Sequence, residues 1–335
     1  MRNEQVPDRN IAMELVRTTE AAALAAARWV GRGDKNGADA AAVSAMRMMM
    51  DTVDMDGLIV IGEGVKDEAP MLYNGERVGN GRGPQVDVAV DPLEGTRLTA
   101  QGRSGAVSVI AAAPRGALFN PLDVFYMEKI AVGTAAKGMI DVSAPVEWNI
   151  RQVARAKDLA VEEVTVVILD RDRNTDIADQ VRAAGARIRF ITDGDQPAAV
   201  SAGIEGTGVD MMLGIGGSTE GVIAACALKC LEGDFQGRLW ARDEEQIAYA
   251  REHGLNLDQI LTIDDLVKSD DVFFAASGVT TGDLLKGVEY VAGGATSESL
   301  VMRSRSGTIR RIQTEHHWRK LEQISGDRYH DPLGH

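Results

Sequence analysis

The stretch Val86-Asp87-Val88-Ala89-Val90-Asp91-Pro92-Leu93-Glu94-Gly95-Thr96 decides the reading of this chain. Val86, Val88 and Val90 alternate in the manner of a strand and lead into Asp91. Pro92 has no N–H to give a ladder, so the strand is expected to stop there. Two acids, Asp91 and Glu94, then occupy a turn. Gly95 lets the backbone approach a ligand closely, and Thr96 adds a hydroxyl. By itself Asp-Pro followed by Glu-Gly is common turn chemistry. Its place at the end of an apolar strand is what gives it a rigid scaffold.

Upstream, Leu58-Ile59-Val60-Ile61 is a short apolar run that reads as a buried strand, terminated by Gly62-Glu63-Gly64. Acids thus recur at strand ends: Glu63, then Asp91 and Glu94. Three converging carboxylates repel one another unless a cation sits among them, and hard oxygen donors favour Mg²⁺ or Mn²⁺. Such ions neutralise charge on a phosphate and lower the pKa of bound water. Thr96 is expected to place its hydroxyl beside that water.

Further outward, residues 11–30 read as a helix with the stripe Ile11, Leu15, Ala22, Ala26 and Val30, ended by Gly31 and Gly33. A second helix is expected from about Asp39 to Val53, with Asp39 at or near its first turn. Strands follow near 106–113 and 128–133. After residue 155 the texture turns to βα units: strand 164–169, helix 174–184, strand 188–191, helix 197–203, strand 210–213, and helix 219–231 after Gly214-Ile215-Gly216-Gly217. Later strands are expected at 273–276 and 308–312, and a loosely held polar tail from about Trp318. The pattern predicts an α/β fold, an α+β layered sandwich of two α/β halves, residues 1–157 and 158–335. The site is expected in the cleft between them.

Composition narrows the function classes. The 335 residues carry a net charge of −14, which argues against nucleic acid, since that partner needs a basic footprint. No run approaches the roughly 20 apolar residues of a membrane span, and the polar opening MRNEQVPDRN does not read as a signal peptide. A cytoplasmic protein is expected. Cys226 and Cys230 have no Cys or His pair to complete a metal site and read as buried small hydrophobes.

Several motifs are decoys. Thr52-Val53-Asp54-Met55-Asp56-Gly57 with Glu63 imitates a calcium loop, but position 1 is Thr and residues 58–61 suit a strand. The same Asp-x-Asp-Gly imitates aspartyl-phosphate phosphatases, except that there the strand precedes the motif. Gly214-Ile215-Gly216-Gly217-Ser218-Thr219 lacks the third glycine of a dinucleotide fingerprint. Met48-Met49-Met50 reads as core filling.

The Gly-Glu and Asp-Pro-Leu-Glu-Gly-Thr motifs together resemble the lithium-sensitive, metal-dependent phosphatase superfamily that includes the inositol monophosphatases. More narrowly, the chain resembles class II fructose-1,6-bisphosphatases of bacteria. Matching stretches are 31–39, 59–73, 91–102, Phe125-Tyr126-Met127, Asp193-Gly194-Asp195, 214–221, 278–282 and 306–310, nearly the whole chain. The resemblance implies a sugar-phosphatase fold, a sugar bisphosphate substrate, Mn²⁺ or Mg²⁺ as cofactor, and a homodimer or homotetramer. It implies Asp39, Glu63, Asp91, Glu94 and Glu220 as metal ligands. Lys35, Asp67, Thr96 and Glu63 take catalytic positions, the Lys contacting phosphate and Asp67 orienting the attacking water. Glu94, Gly95, Thr96, Tyr126, Arg171, Arg173, Asp193, Gly194, Asp195 and Gly217 take substrate positions. The expected reaction is removal of the 1-phosphate of fructose-1,6-bisphosphate by metal-activated water. Alternatives are sedoheptulose-1,7-bisphosphate or inositol phosphate as substrate, or a phosphosugar-binding regulatory role. Local chemistry agrees in places: Glu220 is expected to follow a glycine-rich loop at a helix start, and Arg171 and Arg173 follow a strand, where guanidiniums grip phosphate. The chain departs from the family pattern at Val65, Asp172, Asn174, Thr219 and at Gln196-Pro197, which replaces a small apolar pair. Asp172 is expected to set a negative charge beside the phosphate grip.

Overall fold

The computed structural model describes residues 10–64, 71–121 and 124–325. It opens with two helices packed on each other, α1 (Ala12–Ala27) and α2 (Lys35–Met50). Ile11, Leu15, Ala22 and Ala26 are buried as the stripe requires, but α1 ends before Val30, which is exposed. Helix α2 starts a turn earlier than expected because Asp34, not Asp39, caps it, accepting from the Gly37 N–H at 2.8 Å. Asp39 therefore lies inside α2, one turn after Lys35 and on the same face.

Strands β1 (Asp56–Ile61), β2 (Arg77–Val78) and β3 (Gln85–Glu94) come next, then α3 (Thr96–Gln101) and β4 (Val107–Pro114). Pro92 does not stop β3. The register against β4 slips between Asp91 and Glu94, and proline is tolerated at such an irregularity because no ladder bond is asked of it. The slip keeps both acids on one strand end. Residues 86–90 are all buried rather than alternating, since both faces of this sheet are covered.

The chain continues through β5 (Tyr126–Val132), α4 (Val146–Lys157), β6 (Thr165–Leu169), α5 (Thr175–Ala184), β7 (Arg187–Ile191) and α6 (Asp195–Gly203). Next are β8 (Met211–Gly217), α7 (Ser218–Cys230), β9 (Asp234–Trp240), α8 (Glu244–Glu252), β10 (Leu261–Thr262) and α9 (Ile263–Leu266). It closes with β11 (Phe273–Gly278), β12 (Glu289–Val291), β13 (Gly294–Arg303), β14 (Thr308–His317) and α10 (Trp318–Ser325). Residues 214–217 are not a loop but the end of β8, paired with Tyr126 to Lys129. At the start of the expected tail Trp318 is held: it is buried, its backbone N–H donates to the Gly293 carbonyl, and Arg28 stacks over its ring at 5.0 Å.

Among the described residues the strands form an eight-stranded sheet, ordered β12-β13-β11-β4-β3-β1-β2 with β14 on β13, and a six-stranded sheet, ordered β10-β9-β5-β8-β6-β7. A single cut near residue 157 does not follow them, because β5 joins the second sheet while β11 to β14 return to the first. Helices α1 and α2 cover one face of the first sheet, and α4 and α5 pack on the outer face of the second. Helices α6 and α7 lie between the sheets, giving five layers. Helix α7 suits that position because Val222 to Leu228 are buried on every side. Cys226 and Cys230 belong to this core, and burial pushes both thiols up. Among the described residues no helix is long and apolar enough to cross a membrane.

Candidate active site

The acids converge from four elements. Asp39 comes from α2, Glu63 from the turn after β1, Asp91 and Glu94 from the end of β3, and Glu220 from the first turn of α7. Glu63, Asp91 and Glu220 line one cavity of about 210 Å³ together with Gln196 and Thr219. Mutual repulsion is visible in their protonation. Burial, with the Asp39 charge nearby, pushes the Glu63 carboxyl up to about 7. Burial and the charges of Glu63, Glu220 and Asp39 hold Asp91 well above the usual carboxylate range. Burial, Asp91 and Asp195 do the same for Glu94. Asp39 is raised by burial, and Glu220 by burial and Asp195, with Lys129 and the Thr219 hydroxyl acting in the opposite direction.

A cation suits this donor set. Its ligands are hard oxygens, and Glu94 is buried with Oε2 unpartnered among the described residues. As they stand, no three His, Cys, Asp or Glu side chains among those residues form a set that holds an ion. Asp91 accepts from the Leu93 N–H through Oδ1 at 3.2 Å and from the Gln196 amide through Oδ2 at 2.9 Å.

A second cavity, about 470 Å³, adjoins the first and shares Thr219 and Glu220 with it. Glu94, Tyr126, Arg171, Arg173, Asp193, Gly194, Asp195 and Gly217 line it, so eight of the residues read as substrate contacts come together here. Arg173 lies over the Tyr126 ring at 4.5 Å and donates through Nε to the Ile215 carbonyl at 3.0 Å. Arg171 reaches Asp193 at 3.9 Å and the Asp170 carbonyl at 2.8 Å. Burial raises Asp193, against the pull of Arg171 and Arg97. Gly217 leaves room for Glu220: an added Cβ would meet its carboxylate at 1.7 Å, so a side chain there would displace that acid.

Thr96 and Gly95 stand just past the acids. Gly95, at φ +90°, turns the chain from β3 into α3, whose first residue is Thr96; its hydroxyl has no partner among the described residues. Lys35 is exposed on α2, one turn from Asp39. Asp67 lies outside the described residues, as does Val65.

Asp172 is exposed and is not among the residues lining the cavity, although Arg171 and Arg173 on either side of it are. Asn174 is structural: buried, it donates to the Leu169 and Ile215 carbonyls and accepts from the Ile215 N–H. The imitation calcium loop is accounted for too, since Asp56 pairs with Arg77 and Arg115, and Asp54 with Arg82.

Sequence reading missed three contributors. Lys129 is fully buried in β5, donating to Asp195 Oδ2 at 2.6 Å and to the Gly217 carbonyl at 2.7 Å. Arg242, beyond β9, adds a third guanidinium to the larger cavity. Gln196 joins the acids. Only Gln196 left a trace, as a departure from the family pattern; the others reach the site through pairings far apart in sequence.

Comparison with known proteins bears on the whole chain. Residues 9–316 match the family described as bacterial fructose-1,6-bisphosphatase, glpX-encoded. The chain is 45% identical over 322 residues to fructose-1,6-bisphosphatase 1 class 2 of Escherichia coli, covering 92% of this chain and 96% of that protein. It is equally similar, over the same shares, to fructose-1,6-bisphosphatase class 2 of Shigella flexneri. The chain therefore belongs to the bacterial, glpX-encoded fructose-1,6-bisphosphatase family.

Proposed function

We propose that this protein hydrolyses the 1-phosphate of fructose-1,6-bisphosphate, leaving fructose-6-phosphate, as a metal-dependent phosphoric monoester hydrolase of gluconeogenesis. The observation that carries this reading is the adjoining pair of cavities: the smaller is lined by acids with no basic residue, and the larger brings the guanidiniums of Arg171, Arg173 and Arg242 beside Glu94, Asp193, Asp195 and Glu220. A sugar with a phosphate at each end suits that polarity: one phosphate belongs with cations held by carboxylates, the other with guanidiniums.

In this reading Asp39, Glu63, Asp91, Glu94 and Glu220 hold Mn²⁺ or Mg²⁺. Such an ion neutralises charge on the scissile phosphate and acidifies bound water. Lys35 binds that phosphate, and Thr96, with its hydroxyl uncommitted, orients the attacking water together with Asp67. Arg171, Arg173 and Tyr126 hold the far phosphate, while Asp193 and Asp195, with Gly194 and Gly217, fix the sugar. The family resemblance further supports a homodimer or homotetramer in the cytoplasm.

The test is phosphate release by the purified protein with Mn²⁺ or Mg²⁺ from fructose-1,6-bisphosphate, beside sedoheptulose-1,7-bisphosphate and inositol phosphate. Fructose-1,6-bisphosphate is expected to turn over. Glu63→Gln or Asp91→Asn is expected to lose on the order of 10³-fold in kcat while remaining folded, the effect of several kcal/mol of lost charge stabilisation. No release with either metal, or near-normal rates in both variants, sinks the proposal.

A further inference from the structure

We infer that Gln196 is a positioning residue of the cation site, fixing Asp91 through its amide N–H and offering its carboxamide oxygen to water on the bound ion. The inference rests on the metal reading above. It begins from a side chain only 1% exposed in the first turn of α6, lining the same cavity as Glu63, Asp91 and Glu220. Its Nε2 donates to Asp91 Oδ2 at 2.9 Å. Its Oε1 is buried and has no hydrogen-bond partner among the described residues.

The orientation of the amide is forced. As a metal ligand Asp91 is ionised and can only accept, so the nitrogen must face it and the oxygen is left over. With the ion bound, the ionised acids lining the cavity have no hydrogen to offer this buried oxygen, and leaving it unpartnered is costly. The Thr219 hydroxyl is already directed at Glu220 Oε2, at 2.7 Å. Water on Mg²⁺ or Mn²⁺ is a donor of the right kind, because these ions retain part of their hydration when bound by carboxylates. Gln196 thus supplies two things at once. It leaves the other lone pairs of Asp91 directed at the ion, and it adds a neutral oxygen where a further acid would add repulsion.

The test uses substrate-free protein titrated with Mn²⁺, reading free ion by electron paramagnetic resonance and bound water by proton relaxation. Gln196→Met keeps the volume and removes both polar groups; Gln196→Ala serves the same comparison should the Met variant fold poorly. Mn²⁺ affinity is expected to fall about 10–100-fold, the usual effect of losing a partner behind a ligand. The relaxation signature of bound water should change, and the metal-free melting temperature should hold or rise. Unchanged affinity and relaxation in a variant, beside a wild type that binds Mn²⁺, overturn the role of Gln196 alone. A wild type that binds no Mn²⁺ overturns the metal reading and this inference together.

Discussion

Arg173 meets the site with its plane rather than only its charge. The guanidinium rests on Tyr126 at 4.5 Å, Tyr126 meets Trp240 edge-on at 5.8 Å, and Nε is tied to the Ile215 carbonyl. The stack leaves the remaining N–H groups in a preset fork, the geometry that suits phosphate oxygens. A lysine at the same place keeps the charge and loses the plane, the fork and the tie. Arg173→Lys is therefore expected to raise KM for the bisphosphate about tenfold, with kcat changed little, because the interaction is made in ground and transition states alike. Steady-state kinetics separate the two parameters; an equal fall in kcat with unchanged KM would place Arg173 at the reacting phosphate instead.

At the scale of elements, the junction of β8 with α7 and α6 depends on one buried cation. Lys129 projects from the middle of β5 and joins Asp195, the first residue of α6, to the Gly217 carbonyl at the end of β8. Residue 216 must lack a side chain for this, since a Cβ there would lie 1.9 Å from Asp195 Oδ2 and 2.9 Å from Lys129 Nζ. Removing one partner of a buried pair strands the other charge. Lys129→Met is expected to destabilise the protein by about 3–5 kcal/mol in urea, and Lys129→Met with Asp195→Asn by clearly less. Additive losses in the double variant would mean that the pair is not coupled.

For the whole molecule, the acid cluster makes stability depend on pH and metal together. The Glu63 carboxyl moves from an ordinary 4.5 to about 7 on folding. The folded, metal-free state therefore binds more protons than the unfolded chain between those values, and its stability falls as pH rises through that window. Glu63 alone contributes roughly 3 kcal/mol to that fall, and Asp39, Asp91, Glu94 and Glu220 act with the same sign. A cation displaces those protons, so its affinity climbs with pH. Melting temperatures in EDTA should decline from about pH 5 to about pH 7.5, while saturating Mn²⁺ removes the decline and widens the gap between the two curves. A flat curve in EDTA would show that the carboxyls do not hold their protons in the folded state.

Short-range chemistry by itself determined much of this protein. Strand runs at 58–61 and 86–90, the glycine and acid punctuation after each, and the apolar helix at 219–231 are local patterns, legible because period and turn residues are properties of neighbours. The family signature likewise singled out Asp39, Glu63, Asp91, Glu94 and Glu220, and the elements that carry them were mostly foreseen. Tertiary structure decided the rest. Pro92 stays within β3 because the register slip frees it from bonding, and Trp318 is held because Gly293 and Arg28 receive it. The return of β11 to β14 to the first sheet is a long-range pairing with no local mark. Lys129 carried no mark in the sequence, and Gln196 only that of a departure from the family pattern. Their roles arise only where α6, β5 and β8 meet, since a buried polar group takes its meaning from partners that folding brings within hydrogen-bond distance.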